Sequence, residues 1–475
     1  MVFVSCLAGT GPFSMVSAQE KADRSSAADE STRISWWICP TGAFSEEERV
    51  QLLVDEFEAK NPQIDVQFRI LPEEDGAKEI DQAFHSSDGS LKGEQPEEKD
   101  TAEAGTPDPG TSMDQPDVVL APPEYLVTQW GSEGLMADLS GLWDERTQKE
   151  FRTEMKDAVR SRDDVWYGVP LYRDLYTMAI NYDRFRDAGA LQYLNEDAHS
   201  WKDSGYIDAV LRVHDDLEQS KAPGSVVSRV YCKDQTGQRA FMSFVSNFFN
   251  TGIVDEYHSS YQLGKGNIRN VFSTMKRLAG KGVEFDGGMD GRDENEAFLQ
   301  QEIFMTYNWS AAKQIEAQDA GFRVFPMMYP NSKNTPKLTG PVGALGVTAQ
   351  DDNEKMQAAL SFVRFFMNDE DAYVDAVKTA GCFPARRSIG GHDLTGLYGG
   401  DQTMQLYEVL NEYYDDYMPV MELFPSLEAD WPELIRKIAD GGKVKSILKE
   451  ENEKLNTELE ESFGIHPVEL DEEEG

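Results

Sequence analysis

Four places in the sequence set aromatic or strongly hydrogen-bonding side chains at the expected end of a β run. Trp36-Trp37 closes the first run, and the turn Pro40-Thr41-Gly42 follows it. Pro122-Pro123-Glu124 comes after Val118-Val119-Leu120. Tyr172-Arg173-Asp174 comes after Tyr167-Gly168-Val169-Pro170, and Asn308-Trp309 after the run from Ile303 to Tyr307. In open αβ sheets, ligands sit beyond the carboxyl ends of strands, where loops converge. An aromatic ring offers a flat apolar surface, while Glu, Asn and Arg offer fixed hydrogen bonds. Together they suit a sugar, which has hydroxyls on its edge and a C–H face to stack. Trp309, between Asn308 and Ser310, is the sharpest such candidate; Trp143 and Trp201 read as core packing.

Other chemistries have little to stand on. The sequence has no GxGxxG after a strand, no Walker loop, no HExxH and no GxSxG. The six histidines are scattered without metal or triad spacing, and Asp286 to Gly291 reads as a turn because it lacks the alternating ligands of an EF-hand. Carboxylates are so abundant that counting cannot exclude a glycosidase pair, which needs a defined separation across a bond. The four cysteines (Cys6, Cys39, Cys232, Cys382) form no CxxC pair; a single bridge such as Cys39 to Cys382 is open. No catalytic residue, metal or cofactor is assigned.

Charge narrows the partners. The chain carries a formal charge of −41 over 475 residues, which repels nucleic acid and anionic lipid headgroups and disfavours an anionic substrate. No run approaches the ~20 apolar residues of a spanning helix. The first eighteen residues are free of charge and resemble the back end of a secretion signal that lacks its basic start. Two processing sites compete there. Phe3-Val4-Ser5-Cys6 resembles a loose lipobox, in which Cys6 would carry a lipid, and Val16-Ser17-Ala18 suits ordinary signal cleavage. Lys21 to Thr32 then reads as a tether.

The elements that must position the candidates follow an αβ rhythm. Ile34 to Ile38 is a strand, and Ser45 with Glu48 reads as a capping box ahead of a helix bearing Val50, Leu53, Val54 and Phe57 on one face. Ile64, Val66, Phe68 and Ile70 alternate as a strand, Lys78 to Phe84 is a short helix, and Val118 to Leu120 is a covered strand. His85 to Pro116 interrupts this pattern and is too polar to bury, so it reads as a disordered insertion. Later come a strand over Tyr176 to Asn181 and helices marked by Tyr206 to Leu217 and Phe241 to Phe248. Further strands follow at Ile303, Phe322 and Ala344, then a helix over Lys355 to Met367 and a largely helical final third. The length favours two domains.

In that order the segments resemble the family 1 extracellular solute-binding proteins, the sugar receptors of ABC importers, over residues 33 to 465. The pieces are Trp36-Trp37, the helix Glu46 to Glu58 with Asn61-Pro62, Pro116-Asp117-Val118-Val119, Trp166 to Pro170 and Ile180-Asn181-Tyr182-Asp183. Phe304 to Ser310, Phe325-Pro326, Gly340 to Gly343 and Phe383 to Arg386 complete them. The resemblance implies an α/β, two-lobed periplasmic-binding-protein-like fold of type II, each lobe a sheet flanked by helices and joined by crossing hinge strands. Residues 33–171 plus 341–385 would form the first lobe, with the insertion at 85–116, and 172–340 plus 386–465 the second. A leader and tether (1–32) would precede them and an acidic tail (466–475) follow.

The implied function is to bind an extracellular carbohydrate in the cleft, without chemistry, and deliver it to an ABC importer permease. The protein would be a monomer, lipid-anchored at the extracellular face of the cell membrane, or periplasmic or secreted if Cys6 is not lipidated. Trp36, Trp37, Thr41, Glu124, Tyr172, Arg173, Asn308 and Trp309 would line the cleft, with the late acidic-aromatic pair Asp430-Trp431. The alternatives are a secreted carbohydrate-active enzyme and a sugar-sensing surface protein coupled to a kinase.

Overall fold

The computed structural model describes residues 31–72, 76–86, 115–220, 226–232, 234–287, 294–317, 320–333, 336–399, 402–415 and 421–468. The leader with Cys6, nearly all of the insertion, Gly288 to Gly291 and the tail from Glu469 lie outside them.

Two sheets carry the fold. The first contains β1 (Thr32–Ile38), β2 (Ile64–Ile70), β3 (Val118–Ala121) and β4 (Val169–Arg173). The second contains β5 (Thr177–Asn181), β6 (Val226–Tyr231), β7 (Val283–Gly287), β8 (Ile303–Trp309) and β9 (Val324–Met327). The chain then returns to the first sheet as β10 (Val342–Val347) and β11 (Phe383–Pro384). Spatial order is β11-β4-β10-β3-β1-β2 in one sheet and β7-β6-β8-β5-β9 in the other.

The pairing directions follow from the crossings. β1 runs parallel to β2 and β3, so their carboxyl ends share one edge. A chain that arrives from the other lobe enters at that edge and must run the opposite way. β10 accordingly pairs antiparallel with β3 and β4, and β5 pairs antiparallel with β8. Between the lobes the two crossing segments are themselves bonded: Asp174 N–H donates to the Pro341 carbonyl at 2.9 Å and Tyr176 N–H to that of Thr339 at 3.0 Å.

Each lobe has its own core, as hydrophobic periodicity implies. In the first, Val50, Leu53, Val54 and Phe57 are buried on the helix Glu47–Lys60, and Trp36 meets Phe362 and Phe366 of the helix Asn353–Asn368. In the second, Tyr206, Val210, Val213 and Leu217 are buried from the helix Asp203–Ser220. Trp143 and Trp201 are buried, as expected. β2 is an edge strand, which leaves Phe68 and Ile70 only half-covered.

The expected capping box does not form. Ser45 ends a short 3-10 turn (Gly42–Ser45) and its hydroxyl donates to the Gly42 carbonyl at 2.9 Å, so the helix begins at Glu47 without a side-chain cap. That turn also needs its glycine. Gly42 has φ of +55°, and a Cβ there would lie 2.4 Å from the Ala380 carbonyl oxygen. Two further strands extend past their expected ends: β4 takes in Tyr172 and Arg173, and β8 takes in Asn308 and Trp309.

Candidate functional site

Where the carboxyl edges of the two sheets face each other, the lobes are joined by a buried cluster of charge. Glu124 follows β3 in the first lobe, Arg239 lies on the helix Gln235–Asn247 in the second, and Glu428 on the helix Phe424–Ala439, also in the second. They are 1%, 5% and 3% exposed respectively. Arg239 donates Nε to Glu428 Oε1 at 2.5 Å, and Nη2 to Glu124 across the lobe boundary and to Glu428 Oε2 at 3.2 Å. Glu428 Oε2 also accepts from Tyr125 at 3.2 Å and Gln235 at 2.9 Å. Buried charge is tolerated only when paired and hydrogen-bonded in this way. The planar guanidinium suits two carboxylates because its donors lie in a fixed fork.

The crossing segments supply the neighbours. Tyr176 stands beside Arg239, and Tyr172 beside Thr41. The Tyr172 ring lies across Gly343 of β10, where a Cβ would fall 2.1 Å from its Cζ. Burial pushes the hydroxyl pKa of both tyrosines above the ordinary range, so they are neutral hydrogen-bonding groups. Cys39 stands near Arg239 and Glu124, and desolvation pushes its thiol up to about 12. Cys39, Cys232 and Cys382 are free thiols. Asp174 ties the hinge to the second lobe. Its carboxylate accepts the N–H groups of Leu175 at 2.7 Å and Ala311 at 2.9 Å, and burial pushes its pKa up to about 7.

Several expected residues are elsewhere. Trp36 is wholly buried in the first core, edge-on to Phe44 at 6.2 Å, because alternation along β1 turns it toward the helices. Trp37 lies under the Arg69 guanidinium, its cross-strand partner, at 4.7 Å. Arg173 is a hinge residue: it donates to the carbonyls of Pro384 at 3.3 Å and Asn411, and sits over the Tyr414 ring. Trp309 is 1% exposed and packs edge-on to Phe298 at 5.4 Å, in a cluster with Phe383 and Tyr407, its Nε1 donating to Gln314. Trp431 is buried against Phe272 at 5.8 Å, and Asp430 pairs with Lys454 on the outside. Asn308 lies closer to the cluster, donating Nδ2 to Thr236 Oγ1 at 3.2 Å beside Gln235.

The structure thus brings Glu124, Thr41 and Tyr172 to the junction and adds Tyr125, Tyr176, Gln235, Arg239 and Glu428. One signal in the sequence pointed to Glu428. It stands three residues before Trp431 and shares its helical face, so a buried Trp431 implies a buried carboxylate in need of a partner. Arg239 has the same signature, since Met242 and Ser243, three and four residues on, share its face and are buried.

Comparisons with known proteins bear on the family and the fold. The family model described as "Bacterial extracellular solute-binding protein" matches residues 94–393. A search of curated proteins gives no match. Among solved structures, the GacH receptor of Streptomyces glaucescens, described unliganded and with acarbose, superposes with a TM-score of 0.67 at 15% identity, covering 90% of this chain and 99% of that one. An ABC substrate-binding protein of Listeria monocytogenes in complex with cycloalternan gives 0.68 at 16% identity, covering 90% and 99%. UgpB of Mycobacterium tuberculosis, in complex with glycerophosphocholine, gives 0.68 at 14% identity, covering 91% and 100%. At these identities the likeness is one of fold: two αβ lobes with crossing strands.

Proposed function

The chain belongs to the bacterial extracellular solute-binding protein family, and from that premise we propose that it captures a carbohydrate between its lobes and hands it to the permease of an ABC importer, without altering it. The observation that carries this reading is the junction itself. Glu124 and Tyr125 from one lobe meet Gln235, Arg239 and Glu428 from the other, with Tyr172 and Tyr176 on the crossing segments. Such a set offers carboxylates, an amide and phenols to hydroxyl groups, and rings to a C–H face. A ligand bound by both lobes would favour the closed arrangement over the open one. Thr41 and Asn308 complete the proposed lining. Cys6 is the proposed lipid anchor, and the protein the proposed monomeric receptor.

One neighbour is described with glycerophosphocholine, which makes a phosphodiester the rival ligand. Arg239 is already held by two carboxylates, and that arrangement favours a neutral polyol over a phosphate. A thermal-shift screen of mono- and oligosaccharides, with glycerophosphocholine as control, tests the reading. A binding glycan should raise the melting temperature with concentration and be recovered intact. Stabilisation by the phosphodiester alone, or cleavage of the glycan, would overturn it.

A further inference from the structure

The lobes touch at a second place, on the rim. Arg162 sits in a turn closed by Ser161 N–H to the Val165 carbonyl at 2.8 Å, and the flanking Val159 and Trp166 belong to the first lobe's core. Its Nε reaches both carboxylate oxygens of Glu422 at 3.2 Å, and its Nη2 donates to the His258 carbonyl. Glu422 follows Met421 and precedes Phe424, and its own carbonyl accepts the Tyr261 hydroxyl at 2.9 Å. Met421, Phe424 and Tyr261 all lie in the second lobe's core. One arginine on the first lobe therefore holds two groups that are both fixed to the second. Beside it lies a crevice of about 380 Å³, walled by Thr128, Ser132 and Tyr167 from one lobe and Phe463 from the other.

We propose that Arg162 is an interlobe clamp that sets the open–closed balance and, through it, ligand affinity, without touching the ligand. Glu422 and His258 are anchored to the same lobe, so opening withdraws both acceptors in one movement and the clamp acts only in the closed state. A group that interacts with one state alone shifts the equilibrium by that interaction. Ligand and clamp act on the same equilibrium, so strengthening either favours the other. The side chains of Arg162 and Glu422 are 43% and 14% exposed, which leaves the pair open to screening by salt. The effect is therefore one of tuning.

The affinity part rests on the carbohydrate reading; the closure part does not, and the experiment separates them. Spin labels at Leu52→Cys and Glu453→Cys, one exposed site on each lobe, report the interlobe distance in the full chain by pulsed electron resonance. Without added ligand, Arg162→Ala should move population to longer distances, Arg162→Glu should move more, and Arg162→Glu with Glu422→Arg should restore the original distribution. Arg162→Lys, which keeps the charge but loses the fork, should fall between. For any glycan identified in the screen, Arg162→Ala should weaken binding roughly two- to fivefold, with the loss shrinking in high salt. An unchanged distance distribution in Arg162→Ala and Arg162→Glu would overturn the clamp, whether or not a glycan is found. Failure of every glycan to bind, with the distances shifting as expected, would remove the carbohydrate reading and leave the clamp standing.

Discussion

Glu124 and Arg239 form an ion pair buried between the lobes: the carboxylate is fixed to the first sheet, the guanidinium to a helix of the second. The two are held in register by Glu428, which takes the Arg239 Nε at 2.5 Å.

Arg239→Ala should therefore act on closure more than on the lobes themselves. In the closed form it would leave Glu124 and Glu428 buried without their cation, at a cost of about 3–5 kcal/mol. The open form lets both carboxylates reach water. The expected result is a 100-fold or greater loss of glycan affinity and a larger radius of gyration by small-angle scattering. Thermal unfolding should change much less. An unchanged affinity would place the ligand elsewhere.

Trp309 makes a different prediction from the one its sequence context invites. At a strand end beside Asn308 it reads as a stacking platform, and its truncation would then lower affinity while sparing stability. Packed against Phe298, with Phe383 and Tyr407 in the same cluster, it should instead behave as a core residue. Trp309→Ala should cost roughly 3–5 kcal/mol in denaturant unfolding. A stable variant that has lost glycan binding would return Trp309 to the ligand.

Glu294 gives a pH prediction. Its Oε1 accepts from Thr306 at 2.6 Å and from Tyr307 N–H at 3.0 Å, while Oε2 has no hydrogen-bond partner among the described residues, and burial pushes the pKa from 4.5 up to about 7. The folded state therefore holds a proton that the unfolded chain releases between about pH 4.5 and 7. Over that window this group makes stability fall as pH rises, because the native state binds more protons. Glu294→Gln keeps the accepting oxygen and removes the charge. At pH 8 the variant should be more stable than the parent by on the order of 3 kcal/mol, and the two should converge below about pH 4, where the carboxyl is protonated in both states. A variant that is less stable at pH 8 would show that the ionised carboxylate has a favourable partner.

The insertion should be dispensable for folding. Gln115 Nε2 donates to the Phe84 carbonyl at 3.2 Å, so the two ends of the excursion already lie side by side. Replacing residues 88–113 by a short Gly/Ser linker should leave the melting temperature within about 2 °C, since loop-closure entropy changes slowly with length. A larger fall would mean that the segment packs on a lobe.

Much of the fold was legible because it rests on local pattern. The apolar faces on Val50 to Phe57 and Tyr206 to Leu217, the alternation in β2 and the covered run of β3 each state an element and its buried side without reference to the rest of the chain. Length suggested two domains, and the family resemblance carried by the order of the segments implied two αβ lobes. The strand ends were less legible: β4 and β8 continue through Tyr172, Arg173, Asn308 and Trp309, because pairing with β10 and β5 extends a ladder past the point where local signals stop.

The site divides in the same way. Sequence alone determined that aromatic and polar side chains collect at the carboxyl ends of strands, and it named Glu124, Thr41 and Tyr172 among them. Which tryptophans turn into a core and which charges meet was decided by the tertiary structure. Alternation buries Trp36, the Phe298 cluster claims Trp309, and the helix Phe424–Ala439 turns Glu428 inward and Asp430 outward. Arg239 becomes a central residue only when its helix is set opposite β3 and beside that helix. The union of Glu124, Arg239 and Glu428 joins positions more than a hundred residues apart. No local pattern encodes such a meeting, because the energy that selects it, pairing buried charges that would otherwise be desolvated, exists only after both lobes have formed.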